Sequence, residues 1–360
     1  YSKEVECIIL LRILLCLVTF SVQCFSAEPT VQTKQLLMIL SEAEDYVSVK
    51  PSRSIELLNN DVQLSLLNEK DQIRWHIANI RASVATSKMD VLRSAIEQLL
   101  VFKDHPYFEK RLASVLSGVG IWLRKSGYLT AARLSFECAL KYANSSRSRV
   151  ISLISIALVS RHLNNLETAK TYYSKAKKEA RKHQLTGLVG TIENNLGVIA
   201  LEENNLDEAE LHFRKSMLLN QRISKRSGHI LAGINLLQVF LVKNDLVNYQ
   251  RLYPTISRLA AAFPDENKNA HLLIVNSAYS ARTGNMLSEQ DNADIVKAFD
   301  QLQSAKLQQS LKQHFEKDLV INLNVREPPK QLTFKESWLE NIKQCDWSQL
   351  TTIISTKTTN

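Results

Sequence analysis

Residues 194–216 read NNLGVIALEENNLDEAELHFRKS, and this stretch decides the fold. Apolar residues recur at helical spacing before and after Asn204-Asn205, so two helices meet at a short polar turn. The same turn returns along the chain as Ser126-Gly127-Tyr128, Asn164-Asn165-Leu166, Asn244-Asp245-Leu246 and Gly284-Asn285-Met286. Counting one at Met89, six turns end in an apolar residue, and successive turns lie 39, 38, 40, 40 and 40 residues apart by subtraction. A fixed period in this range is the signature of stacked helical hairpins. Only 9 Gly and 7 Pro in 360 residues suit a chain that is mostly helix. A further, degenerate hairpin is expected around Val49-Lys50-Pro51.

Three slots repeat with the turns. A small-residue slot in the first helix holds Gly120, Ala157, Gly197 and Leu237. The second helix carries Ala132, Ala169, Ala209 and Tyr249, then an aromatic at Phe136, Tyr173, Phe213 and Tyr253. A small residue lets the helices approach, and the aromatic fills the groove that remains. This pattern resembles the tetratricopeptide repeat, most fully over 113–229, in a longer-period form than the usual unit of about 34 residues. The resemblance implies an all-α fold, a right-handed superhelical solenoid of about six to seven antiparallel helical hairpins. Leu237 and Tyr249 depart from the small-residue pattern, so that hairpin is expected to splay.

In this family the first helices line the inner surface, so the resemblance implies a concave groove that binds a peptide or protein. Asn195 and Asn235 share one inner position, where an Asn in related repeats clamps an extended backbone; a carboxamide matches a peptide group in donors and acceptors. Arg124 and Arg161 share another, nearer the turn, and suit a carboxylate because guanidinium pairs with it bidentately. The lysine slots of the family's chaperone-type carboxylate clamp hold Ser114, Ser117, Ile151 and Ile154, so that activity is not implied.

The net charge is +9, and residues 141–186 hold ten Lys or Arg against Glu167 and Glu179. Lys175, Lys177, Lys178, Arg181 and Lys182 read either as a basic surface for an acidic partner or as the solvated face of a second helix. No aromatic stacking strip accompanies them, so nucleic acid is not the expected partner.

Lys3 and Arg12 precede an apolar run from Ile13 to Phe20, and Cys24-Phe25-Ser26 offers a cleavage site before Ala27. Residues 1–26 therefore resemble a secretory signal peptide, with a signal anchor as the alternative and membrane contact only through a retained leader. The expected location is a bacterial periplasm. Residues 27–112 form degenerate hairpins, 113–318 the clearer solenoid with a capping helix over 293–317, and 319–360 a non-repeat tail. Polar residues of the cap, from Gln301 to Gln313, are expected on its outer face. In the tail, Ile321 to Val325 alternate as a short strand, and Thr333 with Glu336 starts a last helix; the tail could also lie in the groove. Outside the leader only Cys138 and Cys345 remain, too few for a disulfide framework, with Cys138 a small buried residue.

No nucleophile, acid–base pair or phosphate loop stands out, and the eight histidines lack metal-ligand spacing. The expectation is a non-enzymatic scaffold without cofactor or metal: an exported adaptor or assembly factor of the cell envelope. The alternative is the extracytoplasmic ligand-binding part of a signalling system.

Overall fold

A computed structural model describes residues 30–59, 63–263, 265–327 and 338–347. The leader, Thr333, Glu336 and residues 351–360 lie outside them. Seven consecutive helix pairs follow one another: α1 (Val31–Val49) with α2 (Pro51–Leu58), α3 (Glu69–Thr86) with α4 (Met89–Leu100), α5 (Pro106–Lys125) with α6 (Leu129–Lys141), α7 (Ser146–His162) with α8 (Leu166–Lys182), α9 (Thr186–Glu202) with α10 (Leu206–Arg222), α11 (Arg226–Val242) with α12 (Leu246–Ala261), and α13 (Glu266–Arg282) with α14 (Glu289–Gln301). Helices α15 (Ala305–Leu319) and α16 (Trp338–Gln344) follow. The fold is the tetratricopeptide-like solenoid that the period implies.

The turn chemistry explains the period. Asn164, Asn204 and Asn244 adopt left-handed φ values of 60°, 57° and 57°, and Gly127 and Gly284 take 88° and 90° at the same place. Asn and Gly tolerate this conformation at a helix C-terminus. The next residue closes the turn: Asn165, Asn205 and Asp245 donate their N–H to Ser160, Ala200 and Phe240 carbonyls at 2.8–2.9 Å. Their side chains then cap the second helix, accepting from the Thr168, Glu208 and Asn248 amides. One polar pair thus stops one helix and starts the next.

Close packing holds each pair. A Cβ at Gly120 would lie 2.6 Å from the Phe136 ring, and one at Gly197 would lie 2.7 Å from Phe213. Where Leu237 replaces glycine, the approach shifts one turn earlier, to Gly233 against Ile256, and α11 meets α12 over a shorter stretch than α9 meets α10. Tyr249 of α12 is fully buried and stacks at 4.3 Å on Tyr279 of the next pair. First helices of successive pairs touch (α5 to α7, α7 to α9, α9 to α11), whereas second helices hardly do. First helices therefore form the inner side.

Several features depart from the sequence reading. The helix expected over 293–317 is broken at Leu302, which is fully buried. Its first part completes the seventh pair, and its second part, α15, turns back across the inner side. Gln308 is consequently 1% exposed, not on an outer face, and donates to the Phe299 carbonyl at 2.8 Å. Asp265 caps α13, its side chain accepting from the Lys268 amide. Ile321–Val325 is extended but unpaired, tied instead to α15 through Glu316 and Lys312. Cys138 and Cys345 form a disulfide with Cα atoms 5.4 Å apart across 207 residues. Sequence spacing cannot reveal a pair that meets only after the intervening hairpins have folded. The bond fixes α16 to α6, with Trp347 buried against Phe108. Residues 338–347 of the tail are therefore held against α6, whereas 321–326 stay with α15 on the inner side. Among the described residues no helix is long and apolar enough to cross a membrane.

Two stability outcomes follow. Gly197→Val drives a branched side chain into the buried Phe213 ring and should lower stability by about 1–3 kcal/mol, read from the urea midpoint. Reduction should lower the midpoint of the native chain, by about 2–4 kcal/mol in stability, and leave that of Cys345→Ser unmoved.

Candidate binding site on the inner helices

Arg124, Arg161 and Asn195 converge near the Tyr173 hydroxyl, each of them acting on the phenol. Arg124 and Arg161 each stand three residues before a left-handed turn residue, Gly127 and Asn164, which places them equivalently at the ends of α5 and α7. Asn195 lies two residues before Gly197, about 200° around the helix from the face that meets α10. Tyr173 comes from α8 and is fully buried.

The two arginines differ in what they meet. Arg161 is 9% exposed and grips Glu202 of α9 with both Nε and Nη2, at 3.1 and 2.7 Å. Arg124, half-buried, has no carboxylate at ion-pair distance among the described residues; burial pushes its pKa down, Tyr173 opposes this, and Arg161 adds to the fall. Tyr173 occupies the slot that holds phenylalanine at 136 and 213, so its hydroxyl is extra. That buried hydroxyl lies beside Asn195 yet finds no partner at hydrogen-bonding geometry. Burial pushes its pKa up, against the pull of Arg161, Asn195 and Arg124.

Helix α15 walls this region. Lys306 donates to the Asn164 side chain at 2.7 Å and lies 4.0 Å from Glu202. Lys125 donates to Ser87 at 2.7 Å, with Gln303 3.4 Å away. A cavity of about 270 Å³ opens between Leu166, Leu201, Glu202, Lys306, Gln309 and His314. Beyond it the inner side is filled: Gln238 donates to Ser310 of α15 at 3.1 Å and meets His271 of α13 at 3.1 Å. Arg282 of α13 binds both the Leu241 carbonyl and Asp318. The local charge is strongly positive. Burial, then Arg161, Arg124 and Lys306, hold the His162 pKa down at about 3. The ammonium pKa values of Lys306 and Lys125 are lowered by burial and by neighbouring arginines, although Glu202 and Asp265 respectively pull the other way.

Asn235 is elsewhere. It is 6% exposed, and its side chain donates to Asn194 at 2.9 Å, joining α11 to α9. The basic residues of α8 do not act as one surface. Lys177 turns to the buried Glu193 carboxylate at 2.8 Å, and Arg181 lies 3.8 Å from the same group. Burial opposes ionisation of Glu193, but His212 and Lys177 outweigh it and hold the carboxyl at about 2. Lys175 lies 5.4 Å over the Tyr172 ring, and Lys178 and Lys182 are exposed. Sequence reasoning missed Glu202, Lys306 and the Tyr173 hydroxyl; the last was signalled by tyrosine in a phenylalanine slot. No group of three or more His, Cys, Asp or Glu able to hold a metal occurs among the described residues.

No family model matches this chain, and no curated protein does. Among solved structures it is similar to a Rap protein in complex with Competence and Sporulation Factor, at 14% identity and a TM-score of 0.55, over 90% of this chain and 98% of that one. BtubC (BKLC) from P. vanneervenii matches at 16% identity and a TM-score of 0.41, over 66% of this chain and 95% of its own. The apo form of RapI matches at 11% identity and a TM-score of 0.36, over 89% and 99%. The first of these shows the fold: this chain is a tetratricopeptide-like helical solenoid, with a polar, cationic region on its inner helices.

The buried histidines give the molecule an acid-sensitive range. His162 is held at about 3, and His76 and His271 at about 4, by burial first in each case. An unfolded histidine titrates near about 6.5, so between these values the unfolded chain binds more protons and stability falls as pH falls. The native chain should lose Tm steadily from pH about 6.5 to about 4. His162→Gln should lose less over that interval, measured by thermal melts at matched ionic strength.

Proposed function

We propose that this protein is a non-enzymatic binding scaffold whose inner helices take a peptide or a segment of a protein. The observation that carries this is the gathering of Arg124, Arg161 and Asn195 about the buried Tyr173 hydroxyl, with no carboxylate at ion-pair distance of Arg124 among the described residues. Buried charged and polar groups are usually satisfied, so a half-buried arginine without a carboxylate calls for an explanation. The similar Rap protein was solved with a bound factor, which supports the same use of the fold here. The exposed Lys178 and Lys182 remain available to an acidic partner.

The compartment is part of the proposal. The apolar run from Ile13 to Phe20 favours export, and a disulfide favours an oxidising space such as the periplasm. An adaptor or assembly factor of the envelope satisfies both. A retained leader would favour the second reading, an extracytoplasmic sensory component.

The test is capture from an envelope extract with the native chain, Asn195→Ala and Asn235→Ala. A partner held by the native chain and lost by Asn195→Ala, with both variants folded, is the expected result. Asn235→Ala, which alters a helix-to-helix contact, should keep it. Equal capture by all three would move the site off the inner helices. A mature N-terminus near Ala27 in the soluble envelope fraction is expected, and a full-length cytosolic chain would remove the export reading.

A further inference from the structure

We propose that the cleft between α2, α3 and α4 is a binding site for a neutral sugar, with the Asn79 carboxamide holding its hydroxyls. The site lies apart from the inner-helix region described above and does not rest on it.

A short helix makes the cleft. The second helix α2 has 8 residues, whereas α8 and α10 have 17 each. Both α2 and α4 pack on α3, and α2 ends at Leu58. A cleft of about 660 Å³ lies between them, with Leu58, Trp75 and Ala95 among its lining residues. Small-molecule sites commonly fall in the range of about 300–1,000 Å³.

The repeat singles out Asn79 within that cleft. It stands eight residues before the left-handed residue Ser87, and the same position in the next four pairs holds Val119, Ile156, Leu196 and Leu236. Three of these, Val119, Ile156 and Leu236, are fully buried, so the slot is an apolar one. Asparagine recurs there in the seventh pair, where Asn276 accepts from the Tyr249 hydroxyl at 3.4 Å. Asn79 is 9% exposed and lines the cleft, and its Oδ1 has no hydrogen-bond partner. An unsatisfied buried carboxamide costs stability that an aliphatic side chain at the same place would not. A half-turn of the carboxamide exchanges its oxygen and nitrogen, so it can present either a donor or an acceptor to a ligand.

The other polar groups of the cleft select the ligand. Asp90, Ser94 and Gln98 follow one another at four-residue spacing on α4, so they share one face, and all three are exposed along the cleft. A sugar hydroxyl donates and accepts at once. Carboxamides do the same from one planar group, and the carboxylate and serine hydroxyl add further acceptors. The buried Leu58, Trp75 and Ala95 offer apolar surface to the C–H face of a ring. Among the described residues no lysine, arginine or histidine lines the cleft. An anionic ligand would find no counter-charge there and would meet Asp90.

The test is calorimetric titration of the full chain with glucose and galactose, each beside its uronic acid, and with acetyl-alanine amide as a peptide fragment. At least one neutral sugar should bind, with its uronate about tenfold weaker. Asn79→Leu, which installs the residue found at the equivalent position in two other pairs, should lose about tenfold in affinity for that sugar. Its Tm should equal or exceed the native value, which separates loss of the site from loss of the fold. Gln98→Ala, on the exposed face of α4, should also weaken binding and leave Tm unchanged. No binding of either sugar, a uronate as tight as its sugar, or an affinity unmoved by Asn79→Leu would overturn the proposal. So would acetyl-alanine amide bound in place of the sugars.

Discussion

At Gly197 a methyl group would sit 2.7 Å from the Phe213 ring, and at Gly120 it would sit 2.6 Å from the Phe136 ring. Both rings are essentially fully buried and have nowhere to go. The two helices of a hairpin therefore meet along one defined line, and each first helix is fixed in rotation about its own axis. That rotation decides which residues face inward. Without it, residues at matching repeat positions would not converge, and Arg124, Arg161 and Asn195 would be three unrelated polar side chains.

The turns set the length of the register that packing fixes in rotation. Each pairs a left-handed residue with a capping residue, so the break between helices is confined to a few atoms and cannot drift. This is why arginines 37 residues apart in sequence, 124 and 161, occupy equivalent helix ends. A solenoid gains its stability from such nearest-neighbour contacts. The chain adds two long-range ties to them: α15 across the inner side, and the bond between Cys138 and Cys345.

Legibility in the sequence divided along the same line. Hairpin number, turn positions and the glycine–aromatic contacts were readable because each depends on residues close in sequence. The matching placement of Arg124 and Arg161 was readable for the same reason. The disulfide was not, since 207 residues separate its ends. The path of α15 was not either, and it alone explains why Gln308 is buried. Asn235 looked equivalent to Asn195 by register, yet the two environments differ because Asn235 reaches Asn194 and α15 fills the inner side beside it. Periodicity states which residues are equivalent; it does not state what a returning helix covers.

Binding chemistry in a repeat protein then belongs to the places where equivalent residues differ. Phenylalanine at 136 and 213 completes a packing slot, and tyrosine at 173 completes it with a hydroxyl to spare. Glutamate at 202 pairs with Arg161, whereas the position matching it for Arg124 holds His162. A repeat whose arginines were all paired would be a more stable rod with less to offer a ligand. Here one arginine pairs inside the chain and braces two inner helices, while its half-buried sister meets no carboxylate among the described residues.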